Sequence, residues 1–166
     1  MTDNTAPVLT DFERAAVKEA AKESRTRAAR KKVSPEELRA AGEADVLAKI
    51  AEMDEEDASL ATALHRLVAE NAPHLVPKTY YGMPAWANAA GKTVCFFKPK
   101  AKFKVRYATF EFEWPAQLDD GTVWPVAYAV TTLTPADLAF LGERVRIAAP
   151  RSDGSGSVTR RAGARR

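Results

Sequence analysis

The sequence has few of the residues that build covalent or metal-bound frameworks. Its 166 residues include one cysteine, Cys95, and two histidines, His65 and His74. A single thiol excludes an intramolecular disulfide and a zinc site of paired cysteines, and it is typical of a reducing compartment. The histidines are too far apart to form an i, i+4 ligand pair on a helix. We expect Cys95 to be an inert strand residue and His65 to be exposed.

Long hydrophobic runs are also missing. The longest, residues 123–130, has eight residues, whereas a membrane-spanning helix needs about 20. The polar first residues lack the apolar stretch of a signal peptide. We therefore expect a cytoplasmic protein with no membrane partner.

Glycine is scarce, and the sequence contains no glycine-rich catalytic motif. The eight glycines form no GxGxxG, Walker A or GxSxG pattern, and HExxH is absent too. These absences remove the usual signals of nucleotide binding, α/β-hydrolase chemistry and zinc proteolysis. We predict that the protein is not an enzyme, and the sequence assigns no cofactor.

What the chain does have is an ordinary globular composition with an uneven charge distribution. Apolar residues make up 46% and charged residues 28%, enough for one folded domain. Residues 151–166 contribute +4 to the net charge of +3, so residues 1–150 sum to −1. Residues 14–32 hold eight Lys or Arg and two Glu. We predict a basic helical arm over residues 1–42, a folded domain over 43–149 and a disordered basic tail over 150–166.

Local patterns place helices before and after a sheet. Thr10 with Glu13, Ser34 with Pro35, and Thr134 with Asp137 are typical helix starts. Aliphatic residues at helical spacing predict core helices over residues 43–53 and 54–72. Twelve of the fourteen aromatic residues fall between positions 80 and 128, where the period changes to two. The order predicts an α+β fold, an antiparallel β-sheet with helices packed on one face.

One predicted strand carries a row of cations at every second position. They are Lys98, Lys100, Lys102, Lys104 and Arg106, so a strand would place all five on one face. The pattern is typical of a solvated strand surface or a lysine-protected sheet edge, and it also suits an anion-binding surface. Because the apolar parity changes after Tyr107, a β-bulge is expected at residues 108–109.

Residues 78–86 form the most informative local pattern. Gly82 permits a positive φ, and Pro84 fixes the chain directly after it. Tyr81, Met83 and Trp86 surround this bend with apolar surface and polar tips, as in a small ligand pocket. A bend that closes the core beneath the helices explains the same residues equally well.

Carboxylates cluster in two places where hard metals could bind. One cluster is Glu52 with residues 54–57, and the other comprises Glu111, Glu113, Asp119 and Asp120. A structural explanation is available for both. The first lies at a predicted helix N-terminus, and the second borders a turn at Gly121.

The chain from Glu43 to Ala149 resembles the YdhG-like family of domains of unknown function, some of which are described as frataxin-like iron chaperones. The resemblance rests on two short helices, residues 81–86 (YGMPAW), the Gly91-Lys92 hairpin and the aromatic strand after it. It implies an α+β domain with a site at residues 81–86, Lys92 and Phe97. Where many members have a KNHIGFY-like strand, this chain has KFKVRY at 102–107 and lacks the histidine.

Two functional hypotheses follow. The first is a binding module for a small anionic or iron-associated ligand. Its candidate residues are Lys78, Tyr81, Gly82, Met83, Pro84, Trp86, Lys92, Phe97 and Lys102. The second is a nucleic-acid-associated protein that contacts phosphates through the basic arm, the lysine-rich strand face and the arginine tail.

Overall fold

The computed structural model describes residues 10–29 and 33–151 and confirms the α+β class. The predicted disordered tail lies outside the described residues from position 152 onward. The described chain forms α1 (Asp11–Ala29), α2 (Pro35–Ala51), α3 (Glu55–Asn71), β1 (Val76–Tyr80), β2 (Met83–Ala87), β3 (Thr93–Lys98), α4 (Lys100–Phe103), β4 (Ala108–Phe112), β5 (Ala127–Val130) and α5 (Pro135–Ala148). None of the described helices is long and apolar enough to cross a membrane.

The helix starts lie where the sequence predicted them. Ser34 and Thr134 are the N-caps of α2 and α5, and each forms a reciprocal capping box with a carboxylate three residues later. Thr10 forms the same arrangement with Glu13 at the start of α1. Each box satisfies backbone N–H groups that have no partner within the helix. These local signals were therefore sufficient to place three of the helices.

The five strands form an antiparallel meander in the order β1-β2-β3-β4-β5. Tyr80 pairs with Met83, so Tyr81 and Gly82 form a two-residue hairpin turn. Their φ values are +51° and +72°, which is the pattern of a type I′ turn. The prediction of a positive φ at Gly82 is confirmed.

The two faces of the sheet are covered differently. Trp86, Phe97 and Phe110 lie on one face and join the main core. That core also contains Val46 of α2, Leu64 of α3 and Val145 of α5, so these three helices cover this face. On the other face, the buried side chains are Met83, Ala85 and Phe96, with Tyr80 and Phe103 packed against them.

The predicted lysine-rich strand over residues 98–106 is wrong. β3 ends at Lys98, Pro99 occupies the N-cap position of the short helix α4, and Lys104 is left-handed with φ +53°. The five cations therefore do not share a strand face. The change in parity comes from this helical turn, and β4 pairs regularly from Ala108 onward without the expected bulge.

A buried carboxylate explains why this segment is not extended. Asp57 of α3 is 1% exposed and accepts hydrogen bonds from the backbone N–H groups of Lys100 at 3.1 Å and Ala101 at 2.9 Å. Pro99 has no N–H to donate to a strand ladder. Together, these features favour a helix start over a continued strand.

The predicted boundary between arm and domain falls inside a helix. α2 runs from Pro35 to Ala51 and passes through position 42 without interruption. Gly42 is buried and lies so close to β1 that a Cβ there would come 2.0 Å from the carbonyl oxygen of Pro77. α2 is thus packed onto the edge of the sheet at Gly42, and Val46 and Ile50 of the same helix are buried in the core.

Candidate functional site

A cavity of about 260 Å³ lies between α1, α2 and the outer strand β1. Its apolar lining includes Leu38, Ala48, Val76, Pro77 and Ala87. Its charged lining comprises Glu19, Lys22, Glu23, Arg27, Asp45, Lys49, Glu52 and Lys78. Apolar walls with a few polar groups are the usual composition of a small-molecule site.

Helix α1 forms one wall of the cavity because Glu23 holds it against the β1–β2 turn. The Glu23 carboxylate accepts hydrogen bonds from the backbone N–H groups of Tyr81 at 3.0 Å and Gly82 at 2.8 Å. Both residues of this turn have positive φ. A second link is the 3.6 Å ion pair between Glu19 and Lys49 of α2.

Of the nine residues predicted to form a ligand site, Lys78 lines this cavity. It is half-buried on β1, and its ammonium group is 5.9 Å from the centre of the Tyr80 ring. Burial, followed by the positive charge of Arg27, lowers its pKa, and Glu23 acts in the opposite direction. Within the described part of the chain, neither Lys78 nor Arg27 has a carboxylate at ion-pair distance.

The other two predicted lysines serve the fold elsewhere. Lys102 donates a hydrogen bond of 2.8 Å to the carbonyl oxygen of Tyr81, which ties α4 to the hairpin turn. Burial lowers its pKa. The Lys92 ammonium lies 4.3 Å from the ring centre of Trp114. Neither lysine lines the cavity.

The sheet separates the aromatic and apolar residues that were predicted to form one wall. Trp86 and Phe97 lie in the core beneath the helices and are 1% and 0% exposed, whereas Met83 faces the other side. Pro84 is also buried, and Tyr81 is 43% exposed at the turn. Because β2 is extended up to the register shift between Trp86 and Ala87, the side chains of residues 83–86 alternate between the faces. This arrangement agrees with the alternative interpretation, in which the segment serves packing.

The chain was compared with protein-family models, curated proteins and solved structures. No match was found. The resemblance to the YdhG-like family therefore stays a prediction, and so does the iron binding that it implies.

His65 lies in a less exposed environment than predicted. Its side chain is 12% exposed, its Nε2 is 2.7 Å from Oε1 of Glu43, and its ring stacks on Trp86 with centroids 5.9 Å apart. The expectation that it is an exposed helix residue is wrong, because α2 and the sheet approach the flank of α3. Cys95 is fully buried as expected, and burial raises the pKa of its thiol.

The first acidic cluster has structural partners. Asp54 is the N-cap of α3 and accepts from the backbone N–H of Asp57, while Asp57 itself supports α4. Gly121 has a φ of +67°, as the predicted turn requires. Among the described residues, no three or more His, Cys, Asp or Glu are grouped so that they could hold a metal ion.

Sequence reasoning missed the contribution of α1 to the site. Glu19, Glu23 and Arg27 recur every four residues and therefore share one face of a helix. In the structure, Ala16 and Ala20 on the same side of α1 are only partly exposed, so this is the side of α1 that contacts the rest of the protein. This spacing was a usable signal, but the hairpin partner of Glu23 is 58 residues away and has no local signature.

Proposed function

We propose that the protein binds a small organic anion in the cavity between α1, α2 and β1. The observation that carries the proposal is the pair of cations, Lys78 and Arg27, which line the same cavity. Their mutual repulsion contributes to the lowered pKa of Lys78. An anion placed between them would relieve that repulsion and would form charge-assisted hydrogen bonds with both.

The acidic residues of the cavity do not remove this preference, because each of them, Asp45 included, already has an interaction partner. Glu23 is engaged by the two N–H groups of the hairpin turn. Glu19 and Glu52 flank Lys49, at 3.6 Å and 3.0 Å from its ammonium nitrogen. Lys78 and Arg27 therefore remain as cations available to a ligand on this side of the cavity.

The apolar lining restricts the ligand further. Leu38, Ala48 and Val76 contribute side chains without hydrogen-bonding groups, and burial of apolar ligand surface against them is favourable. We infer a ligand with a carboxylate or phosphate at one end and a short apolar body. The proposed role is binding without a catalytic step.

Titration with a matched pair of probes tests the proposal. Hexanoate carries the charge and the apolar body, whereas hexanamide carries the apolar body alone. Hexanoate should bind more tightly, and Lys78→Gln should weaken its binding on the order of tenfold, because one charge-assisted hydrogen bond is lost. The matched control is Lys92→Gln, since Lys92 lies outside the cavity.

Calorimetry would provide the dissociation constants, and native mass spectrometry of the purified protein would reveal any ligand that it retains. Equal binding of the two probes would contradict the proposal. So would an equal loss of affinity in the Lys78 and Lys92 variants.

The outer face of α1 supports a second candidate function, nonspecific binding to nucleic acid. Arg14, Lys18 and Arg25 are all exposed and lie on the side of α1 opposite Glu23. A row of cations on one helix face suits the phosphates of a duplex. The row of cations over residues 98–106 is no longer part of this hypothesis, because that segment is not a strand.

The salt dependence of DNA binding separates this function from the first. Replacing Arg14, Lys18 and Arg25 by Gln should reduce the slope of log K against log salt by about 3, because each phosphate contact contributes roughly 0.9. The control replaces Lys98, Lys104 and Arg106 by Gln. If both triple variants lower the slope equally, α1 is not the binding face.

A further inference from the structure

Within residues 10–29 and 33–151, the strand β5 forms an open edge of the sheet. It is last in the strand order, and just before it the N–H of Phe112 donates to the carbonyl oxygen of Val126 at 2.7 Å. In an antiparallel ladder, every second residue exchanges N–H and C=O hydrogen bonds with the neighbouring strand. Since Val126 is such a residue, so are Tyr128 and Val130, and their backbone N–H and C=O groups point toward β4. The N–H and C=O groups of Ala127 and Ala129 therefore point outward, and both residues are exposed.

The opposite edge of the same sheet is protected, which makes the β5 edge distinctive. β1 contains a lysine, Lys78, and a proline, Pro77, which has no N–H to offer. In addition, α2 packs closely against the Pro77 carbonyl. Proline, lysine and a covering helix are all known means of preventing strand addition. β5 contains no proline and no charged residue.

The chain around β5 is free of charge over a long stretch. Residues 121–136 contain no Asp, Glu, Lys, Arg or His, in a sequence that is 28% charged. Two apolar side chains next to β5, Val126 and Phe140, are each 49% exposed, and Val123, four residues before the strand, is 87% exposed. Phe140 also contacts the ring of Tyr128, at 5.5 Å between centroids.

We propose that two copies of this chain associate through their β5 edges to form one continuous antiparallel sheet. A two-fold axis at Tyr128 would place Ala127 of one copy opposite Ala129 of the other, so that all the outward backbone groups are paired. Tyr128 would then face its own counterpart beside the Phe140 rings, which is a favourable cross-strand arrangement.

The absence of charge favours a second copy as the occupant of this edge. In a two-fold interface each residue meets itself or a near neighbour, so a charged strand would bring like charges together. The neutral segment over 121–136 avoids this repulsion. A four-residue strand gives a small interface, so the association should depend on protein concentration.

Sedimentation of the full chain over a range of concentrations tests this association. The mass should rise from the monomer value of 18.1 kDa toward twice that value. Ala129→Pro should abolish the rise, because it removes an outward N–H without removing a bond to β4. Ala129→Lys should raise the dimer dissociation constant on the order of tenfold through like-charge repulsion.

Ala90→Lys is the matched control, because Ala90 is exposed in the β2–β3 hairpin and distant from β5 in the strand order. Circular dichroism would verify that each variant is folded. If Ala129→Pro does not fold, Ala129→Lys alone tests whether β5 is the dimer interface. Slower amide exchange at Ala127 and Ala129 at high concentration would support the proposal without any substitution. A protein that stays monomeric at its solubility limit would overturn it, as would a dimer that resists both Ala129 variants.

Discussion

At the scale of single residues, the buried carboxylate of Asp57 links two parts of the chain. Its backbone N–H is capped by Asp54, and its side chain accepts from two backbone N–H groups at the start of α4. The sequence pattern correctly placed the acids of residues 54–57 at a helix N-terminus. It gave no sign that one of them would be buried, because its partners are 43 and 44 residues away.

Asp57→Ala should lower the free energy of unfolding by about 3 kcal/mol, since two backbone donors would lose a charged acceptor in a buried site. Asp57→Asn should cost less, because its amide oxygen still accepts. Chemical denaturation measures both. Glu55→Ala, an exposed change in the same helical turn, is the control and should cost no more than about 0.5 kcal/mol. Equal effects of the Asp57 and Glu55 changes to Ala would show that the bonds to α4 are unimportant.

At the scale of secondary-structure elements, local signals predicted the helix starts and the positive φ values of Gly82 and Gly121. Capping boxes and glycines with positive φ depend on residues within a few positions of each other. The segment 98–106 was mispredicted because its alternating lysines suit a strand. The contacts that decide its structure come from Asp57, which is distant in sequence.

The contact between α2 and β1 provides a test at this scale. Gly42→Ala should destabilise the protein by about 1–3 kcal/mol, because the new methyl group would collide with the Pro77 carbonyl. Helix propensity alone predicts that the same substitution stabilises the protein, since Ala is favoured over Gly in a helix by about 1 kcal/mol.

Ala40→Gly is the control, because Ala40 is exposed in the same helix. It should lower the melting temperature only through the poorer helix propensity of glycine. A higher melting temperature for Gly42→Ala would mean that α2 is free to move away from β1.

At the scale of the whole molecule, the α+β class and the helix-covered face of the sheet could be predicted from the sequence. The period of the apolar residues reveals which segments are helices and which are strands. The cavity could not be predicted, because it forms where α1, α2 and β1 meet and its residues come from separate elements. Of the nine predicted site residues, Lys78 lines it, while Trp86 and Phe97 instead fill the core.

The position of α1 has a consequence for how tightly any ligand can be held. The cavity is complete only while Glu23 holds α1 at the hairpin turn. Any molecules in which α1 is undocked would therefore lower the apparent affinity, which equals the intrinsic affinity multiplied by the fraction of molecules with α1 docked. By the same linkage, a ligand that fills the cavity protects α1 from proteases, so the helix and the ligand stabilise each other.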